Sequence, residues 1–191
     1  AAESESIEVL HRTSKEGIGP AYIAGFRRAL RGGADYVLEM DADFSHDPRD
    51  LGSLLAAAQS ADVVLGSRYV RGGGVTDWGL VRRAVSRGGG IYARVILGVP
   101  VNDLTGGFKC FRRAVLEKID LSAIRSRGYG FQIELTYKAL LAGFTVKEVP
   151  IVFRDRTLGE SKMSLKIAVE AARLVPSLRL RELRGRRKHA G

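Results

Sequence analysis

The sequence predicts an α/β domain with a mostly parallel sheet and flanking helices, and three observations carry that expectation. Strand-like and helix-like apolar patterns alternate along the first third of the chain. Residues 62–66 (DVVLG) have the apolar character of a strand covered on both faces, with Val63, Val64 and Leu65 in succession. A strand at 36–40 (YVLEM) breaks into Asp41-Ala42-Asp43, and open α/β sheets bind ligands at the carboxyl ends of their strands.

The elements follow in order. Residues 7–10 (IEVL) read as a short first strand. Residues 20–31 (PAYIAGFRRALR) read as a helix, with Pro20 near its start and Ile23, Phe26, Ala29 and Leu30 on one face. Gly32-Gly33 closes it. Asp47-Pro48 is an N-cap followed by an N1 proline, which starts a helix over 49–59. The six glycines within 71–90 predict mobility or a close approach of backbone to a ligand. Residues 103–111 (DLTGGFKCF) are a turn entering a strand. Helices are expected over 113–119 and 131–142, and an edge strand over 144–153, where Pro150 is tolerated. A loop at 155–162 (DRTLGESK) precedes a basic helix from 163 to about 183, and RGRRKHAG reads as a frayed tail. Sheets of this kind normally open with a strand and crossover helix that build half of a nucleotide site. About 50 residues are therefore expected ahead of Ala1.

Composition narrows the function classes. A chain of 191 residues is long enough for one sizeable core. A single cysteine, Cys110, provides no disulfide framework and no zinc cluster. His11, His46 and His189 lack metal-ligand spacing. The net charge of +10 calls for an anionic partner: nucleic acid, a phosphorylated small molecule or an acidic membrane. There is no uninterrupted apolar run of spanning length and no signal peptide, so the default is a protein facing the cytosol.

Asp41 and Asp43 carry the sharpest chemical signal. Positions i and i+2 share a strand face, and two carboxylates so close repel unless a cation lies between them. Mg²⁺ or Mn²⁺ bridging them to diphosphate oxygens relieves that repulsion. The bland alternative, helix capping, is already served by Asp47. Glu39 is a strand acid that needs a partner when buried. Lys15, ahead of Gly17-Ile18-Gly19-Pro20, suits a base or phosphate contact. Arg68, after the 62–66 strand, offers a planar charged fork to phosphate. Arg82 and Ser86 share a helical face and can reach one anionic group. Asp103 suits sugar hydroxyls. Glu134 faces either the cleft or solvent. Arg156, Ser161 and Lys162 lie on a Gly-containing basic loop suited to closing over a diphosphate. No nucleophilic triad, P-loop or dinucleotide fingerprint is present.

Taken together, the blocks GIGPAYIAGF, EMDADFSHDP, DVVLGSRYVRGG, NDLTGGFKCFRR, GYGFQIEL and VPIVFRDRTLGESKMS resemble the polyprenol-phosphate (dolichyl-phosphate) mannosyltransferases of glycosyltransferase family 2. The likeness runs from about Ile7 to Met163 and is nearest to bacterial, actinobacterial members. It implies a GT-A (Rossmann-like) catalytic domain over 1–164, of which the N-terminal part is missing, and a basic amphipathic helix and tail over 165–191. The family's Pro-x-Tyr-Asn-Glu and Asp-Asp-Gly-Ser blocks are absent. By the resemblance, Asp41 and Asp43 hold Mg²⁺ or Mn²⁺ against the diphosphate of GDP-mannose, and Ser45 stands where a glutamine ligand often lies, reaching the metal through water. Arg68, Arg82 and Ser86 meet the phosphate of a polyprenyl acceptor, Arg156 and Lys162 cover the donor, and Glu134 and Ser161 lie on the acceptor or sugar side. The catalytic pair is Asp43 and Arg68, with Lys15, Asp41 and Asp103 on the donor.

The implied reaction inverts the anomeric centre. A phosphate monoester is already ionised, so it attacks without a strong base, and the enzyme aligns it and stabilises the departing diphosphate. The implied location is peripheral, on the cytoplasmic face of the cell membrane. Residues 75–97 and the basic C-terminal helix touch lipid, with Trp78 at headgroup depth, and a membrane-anchoring partner or fused domain adds firmer attachment. Two rival readings are a UDP-glucose-dependent polyprenyl-phosphate glucosyltransferase and a basic nucleic-acid-binding module. The second is disfavoured by the carboxylate pair and by the lack of basic strands interleaved with aromatics, so no nucleic acid is expected as a partner.

Overall fold

A computed structural model describes residues 7–126, 128, 130–155 and 165–189, and the side chains of 172–184 within the last segment. Helix α1 (Ile18–Arg31) buries Gly19 and Phe26 and ends with Arg28 and Arg31 in its last turn, where cations suit the helix dipole. Strand β1 (Tyr36–Glu39) leads into the acidic turn. Asp47 accepts from the Arg49 N–H and caps a 3₁₀ turn, Pro48–Asp50, which continues into α2 (Leu51–Ala57). Strand β2 (Val63–Ser67) is buried at every position.

The glycine-rich stretch forms the short strand β3 (Gly74–Val75) and a long helix, α3 (Leu80–Leu97), closed by Gly98 in the left-handed region. Gly88, Gly89 and Gly90 thus lie inside a helix. Strand β4 (Lys109–Arg112) runs straight into α4 (Arg113–Lys118). Helix α5 (Gly130–Leu141), strands β5 (Val146–Pro150) and β6 (Val152–Phe153), and helix α6 (Leu165–His189) complete the described chain.

The expectation of a mostly parallel sheet is overturned. The four-stranded sheet has the order β1-β4-β2-β5, and β4 is antiparallel to both of its neighbours. Only β2 and β5 pair in parallel within it, while β3 and β6 form a separate parallel pair. The sheet is mixed because β4 enters between β1 and β2 from the opposite end. A fully covered strand looks equally apolar in either direction, so residue pattern does not report this. Nor do residues 7–10 form a strand: Ile7, Val9 and Leu10 are exposed, and β1 pairs only with β4.

The inserted strand has a consequence for the site. Its first residue, Lys109, lies opposite Glu39 of β1 and Leu65 of β2. The loop entering β4 therefore meets the carboxyl ends of β1 and β2. Alternation along the strands divides the core between two faces. Val37, Val63, Leu65 and Phe111 pack with Phe26, Phe131 and Leu135 on one side, and the same cluster takes in Val175 and Leu178 of α6. Val64, Phe108 and Cys110 pack with Leu54 and Ile151 on the other.

Candidate active site

Asp41 and Asp43 are half-buried in the turn after β1. The Tyr22 phenol of α1 donates to Asp41 Oδ1 at 3.2 Å. Burial, followed by the charges of Glu39, Asp41 and Asp43, drives the Tyr22 pKa up and keeps it a donor. Asp43 Oδ1 accepts from both the Ser45 N–H (3.1 Å) and the Ser45 hydroxyl (2.6 Å). Ser45 is fully buried, so that hydroxyl fixes the acidic turn. Between them Phe44 has φ 64°, a left-handed conformation costing a bulky residue about 1–3 kcal/mol, of the kind that gathers at ligand sites.

His46, which sequence spacing passes over, secures the same turn. Its Nδ1 accepts from the Asp41 N–H at 3.2 Å, which places the ring proton on Nε2. The ring lies 5.0 Å from Phe108 and 5.3 Å from Phe153, centroid to centroid. Burial lowers its pKa against the opposing pull of Asp41 and Asp43, which keeps the imidazole neutral. The signal for His46 was its place in EMDADFSHDP; no residue-type rule selects a backbone acceptor.

The turn suits a hard divalent cation. A Cβ on Gly107 would stand 3.6 Å from both carboxylate oxygens of Asp41, so glycine there keeps the approach to that carboxylate open. No group of three or more His, Cys, Asp or Glu side chains fit to hold a metal exists among the described residues. Two carboxylates completed by substrate phosphates is nonetheless a usual Mg²⁺ arrangement.

Arg68 and Asp103 come together as a buried ion pair. The guanidinium donates to Asp103 at 2.7 Å through both Nε and Nη2, and to the Thr105 hydroxyl at 2.8 Å; the Arg68 N–H adds a bond of 3.0 Å to Asp103. The Arg68 side chain is 9% exposed and that of Asp103 is 0% exposed. Burial works against both charges, yet each pKa moves to favour the charged form because the partner outweighs desolvation. Glu148 fixes the loop from behind, accepting from the N–H groups of Asn102 and Asp103 at 2.9 Å each.

Arg82 and Ser86 do share a face of α3. Arg82 pairs with Asp155 at 2.8 Å and lies over the Trp78 ring, 4.2 Å from its centroid. The Tyr69 hydroxyl donates to Ser86 Oγ at 2.6 Å. Trp78 is 7% exposed, beneath Arg82 and against Phe153, which removes it from headgroup depth. Lys15 is exposed. Glu134 faces neither cleft nor solvent: it is buried and accepts from the Ser126 hydroxyl at 2.6 Å and the Ser126 N–H at 3.0 Å. Arg156, Ser161 and Lys162 lie outside the described residues.

Behind the acidic turn sits a buried pair. Lys109 Nζ donates to the Gln132 carbonyl, Gln132 Oε1 and Thr136 Oγ1 at 2.7–2.9 Å. Opposite it, Glu39 has no partner in good hydrogen-bond geometry, although the nearby Gln132 amide favours its ionised form. Burial raises Glu39 to about 8 and lowers Lys109 to about 8, against their mutual attraction. Burial thus favours the neutral carboxyl, which costs less than a carboxylate in a place without a good hydrogen-bond partner. A separate depression of about 410 Å³, lined by Asp47, Arg49, Asp50, Pro150, Ile151 and Arg154 among others, contains none of the predicted site residues.

Helices flanking a mixed sheet, with an acidic turn and a basic group at one sheet end, define a GT-A-like fold. Solved structures of glucosyl-3-phosphoglycerate synthase from Mycobacterium tuberculosis share it. One, with phosphoglyceric acid, matches at TM-score 0.58 and 18% identity over 89% of this chain and 56% of that one. Another, with Mn²⁺, UDP-glucose and phosphoglyceric acid, matches at TM-score 0.57 and 18% identity over the same shares. At that identity the likeness concerns the fold.

Residues 1–120 match the profile of glycosyl transferase family 2, and the chain belongs to that family of glycosyltransferases. It is 50% identical over 171 residues to the undecaprenyl-phosphate mannosyltransferase of Micrococcus luteus, spanning 90% of this chain and 70% of the relative. It is 52% identical over 164 residues to the polyprenol monophosphomannose synthase of Mycolicibacterium smegmatis, spanning 85% of this chain and 62% of the relative. No described helix is long and apolar enough to cross a membrane.

Proposed function

We propose that the protein transfers mannose from GDP-mannose to the phosphate of a polyprenyl monophosphate, with inversion, to give β-linked polyprenyl-phosphate mannose. The observation that carries this reading is the half-buried Asp41–Asp43 turn, braced by Tyr22, Ser45 and His46 at the sheet end where the Arg68–Asp103 pair also lies. Family membership and the two mannosyl-transferring relatives, each at least 50% identical, support the choice of sugar and acceptor.

In this reading Asp41 and Asp43 would hold Mg²⁺ or Mn²⁺, with Ser45 contributing through water, and the ion would supply positive charge opposite the departing nucleoside diphosphate. Arg68, fixed by Asp103, supplies a permanent positive charge beside that turn. Arg82 and Ser86 bind the acceptor phosphate, which displaces Asp155 from the Arg82 guanidinium. An acceptor oxygen, already deprotonated, forms the new bond to C1 of the sugar. The C1–oxygen bond to the diphosphate breaks, its electron pair leaving with GDP, so no general base is required. Lys15, Arg156 and Lys162 contact the donor, and Ser161 lies near the sugar. Glu134 acts from its buried place by shaping the loop at 125–126. The protein works peripherally at the cytoplasmic face of the membrane, with firmer anchoring from a partner or fused domain.

The test supplies the full-length protein with labelled GDP-mannose or UDP-glucose, a short polyprenyl phosphate and Mg²⁺, then extracts the lipid. Label is expected in lipid from GDP-mannose alone, and Asp43→Ala is expected to abolish it. Undiminished transfer by Asp43→Ala would remove the metal role. Label from UDP-glucose alone would replace the donor.

A further inference from the structure

We propose that Gln132 is a ligand of the transferred sugar: its Nε2, with the Asp41 carboxylate opposite, holds one sugar hydroxyl in the space over Gly107. The inference rests on the nucleotide-sugar donor proposed above.

Spacing offers Asp103 to sugar hydroxyls, but the Arg68 fork and the Thr105 hydroxyl already occupy that carboxylate. A different pair of polar groups meets over Gly107. A Cβ there would stand 3.6 Å from both carboxylate oxygens of Asp41 and 3.7 Å from Gln132 Nε2. Glycine therefore leaves a space with an acceptor on one side and a donor on the other. A group seated in it must donate to the carboxylate and accept from the amide. A hydroxyl does both. A phosphate oxygen, which only accepts, is repelled by Asp41, and a cation gains nothing from an amide N–H.

The amide is held for this role by a buried charge. Gln132 is 4% exposed and Lys109 is 0% exposed. Lys109 Nζ donates to Gln132 Oε1 at 2.7 Å. An ammonium only donates, so this bond identifies the oxygen end of the amide and leaves Nε2 on the other branch. Nε2 carries two hydrogens; the nearby Glu39 carboxyl can take one, and the second serves a ligand. Asp41 has capacity too, because a carboxylate offers about four lone-pair sites and the Tyr22 phenol uses one. A role confined to supporting Lys109 accounts for Oε1 but not for a glycine facing Nε2.

The position of the space favours the transferred sugar over the ribose. A Cβ on Gly106 would stand 3.7 Å from Asp103 Oδ1, so the Gly106-Gly107 turn runs between Asp41 and the Arg68–Asp103 pair. The group that must lie between the leaving diphosphate and the attacking acceptor is the sugar.

Isothermal titration of the full-length protein with Mg²⁺ compares GDP with GDP-mannose and, in parallel, UDP with UDP-glucose. Gly107→Ala puts a methyl group into the space at ordinary contact distances and leaves the Lys109–Gln132 bonds alone. It is expected to weaken the sugar nucleotide about tenfold or more, with the matching diphosphate unchanged within about twofold. Gln132→Glu keeps an oxygen for Lys109 and removes the N–H donor, so it should cost the sugar nucleotide more than the diphosphate. Donors each lacking one sugar hydroxyl locate the contact. One of them should bind the unaltered protein about tenfold less well and be indifferent to Gln132→Glu. Should Gln132→Glu lower the melting temperature, Gly107→Ala decides alone. Equal losses for diphosphate and sugar nucleotide overturn the proposal, since the contact would then be to ribose or phosphate. So does a sugar nucleotide that both variants bind as the unaltered protein does, because the space would then hold only water. A loss confined to UDP-glucose, with GDP-mannose not bound, would keep the sugar contact and replace the proposed donor.

Discussion

Two acidic turns meet at one end of the sheet, and the fold uses their carboxylates in opposite ways. Asp103 has no exposed side-chain surface and is met by the Arg68 fork, the Arg68 N–H and the Thr105 hydroxyl. Asp41 and Asp43 remain half-buried, held by a phenol, a serine and, through the backbone, a histidine. A carboxylate enclosed by a guanidinium has its charge consumed within the protein. Asp41, whose carboxylate takes the neutral Tyr22 phenol, keeps its charge for a cation from outside. An acid near a glycine-rich turn is therefore a ligand candidate only to the extent that the fold leaves its charge uncompensated.

The contrast is sharpest in stability. Asp103→Ala leaves the Arg68 guanidinium buried without a counter-ion, which costs about 3–5 kcal/mol. Urea unfolding is expected to show that loss, with activity falling because the fold weakens. Replacing both members, Arg68→Met with Asp103→Leu, should recover much of it, since no lone charge stays behind. A single variant as stable as the unaltered protein would show that the pair is solvated.

Asp43→Asn should do the reverse. The shape and the Ser45 bonds persist, so the melting temperature should hold, while transfer falls by about 10²–10³-fold through loss of charge opposite the leaving diphosphate. Isothermal titration with Mn²⁺ should show weakened binding in step with rate. If rate and metal affinity both survive, Asp43 belongs with Asp103 as a structural acid and the distinction collapses.

How far this was legible in the sequence depends on the kind of information each feature needs. The strand over 36–40 that leads into Asp41, the Asp47 cap and the shared face of Arg82 and Ser86 follow from local periodicity; in the structure β1 stops at Glu39, Asp47 caps a 3₁₀ turn and the two residues lie in α3. The direction of β4 does not follow from periodicity, because a buried strand such as KCFR has the same composition whichever way it runs. That missed direction is what brings Asp103 to Arg68. A reading that assigns one to sugar and the other to phosphate could not find the pair by spacing, since they lie 35 positions apart. His46 escaped because its contact is to a backbone N–H, and Glu134 because helical position alone does not distinguish a buried loop cap from a cleft-facing acid. Glycine count misled at 88–90, where tertiary packing of α3 overrides a weak local propensity.

Glu39 stands between the two cases, buried like Asp103 yet without its counter-ion bond. Its folded pKa of about 8 lies above the ordinary carboxyl value, so the folded state holds a proton that the unfolded chain has released. Stability from this group is present below the unfolded value and is lost as pH rises toward 8. Lys109, depressed to about 8, works in the opposite sense at higher pH, regaining stability as pH climbs from there toward its ordinary value. Glu39→Gln should remove the decline between pH 5 and 8, leaving the variant about 1–3 kcal/mol better relative to the unaltered protein at the upper end than at the lower. Parallel denaturant curves at the two pH values measure it, and equal slopes for both proteins would mean that Glu39 ionises inside a well-formed ion pair with Lys109.

The smallest effect separates the inner and outer sides of α3. A Cβ at Gly88 or Gly89 meets nothing within 4 Å, whereas one at Gly90 would stand 3.3 Å from the Asn102 carbonyl oxygen. Mid-helix glycine costs up to about 1 kcal/mol relative to alanine, so packing within the chain gives no reason for it at 88 or 89. Gly88→Ala should therefore stabilise the protein by up to about 1 kcal/mol, raising the melting temperature by about 2–4 °C, and Gly90→Ala should give less or reverse sign. Paired melting curves of the two variants measure the difference, and equal gains at Gly88 and Gly90 would mean that the Asn102 carbonyl gives way without cost.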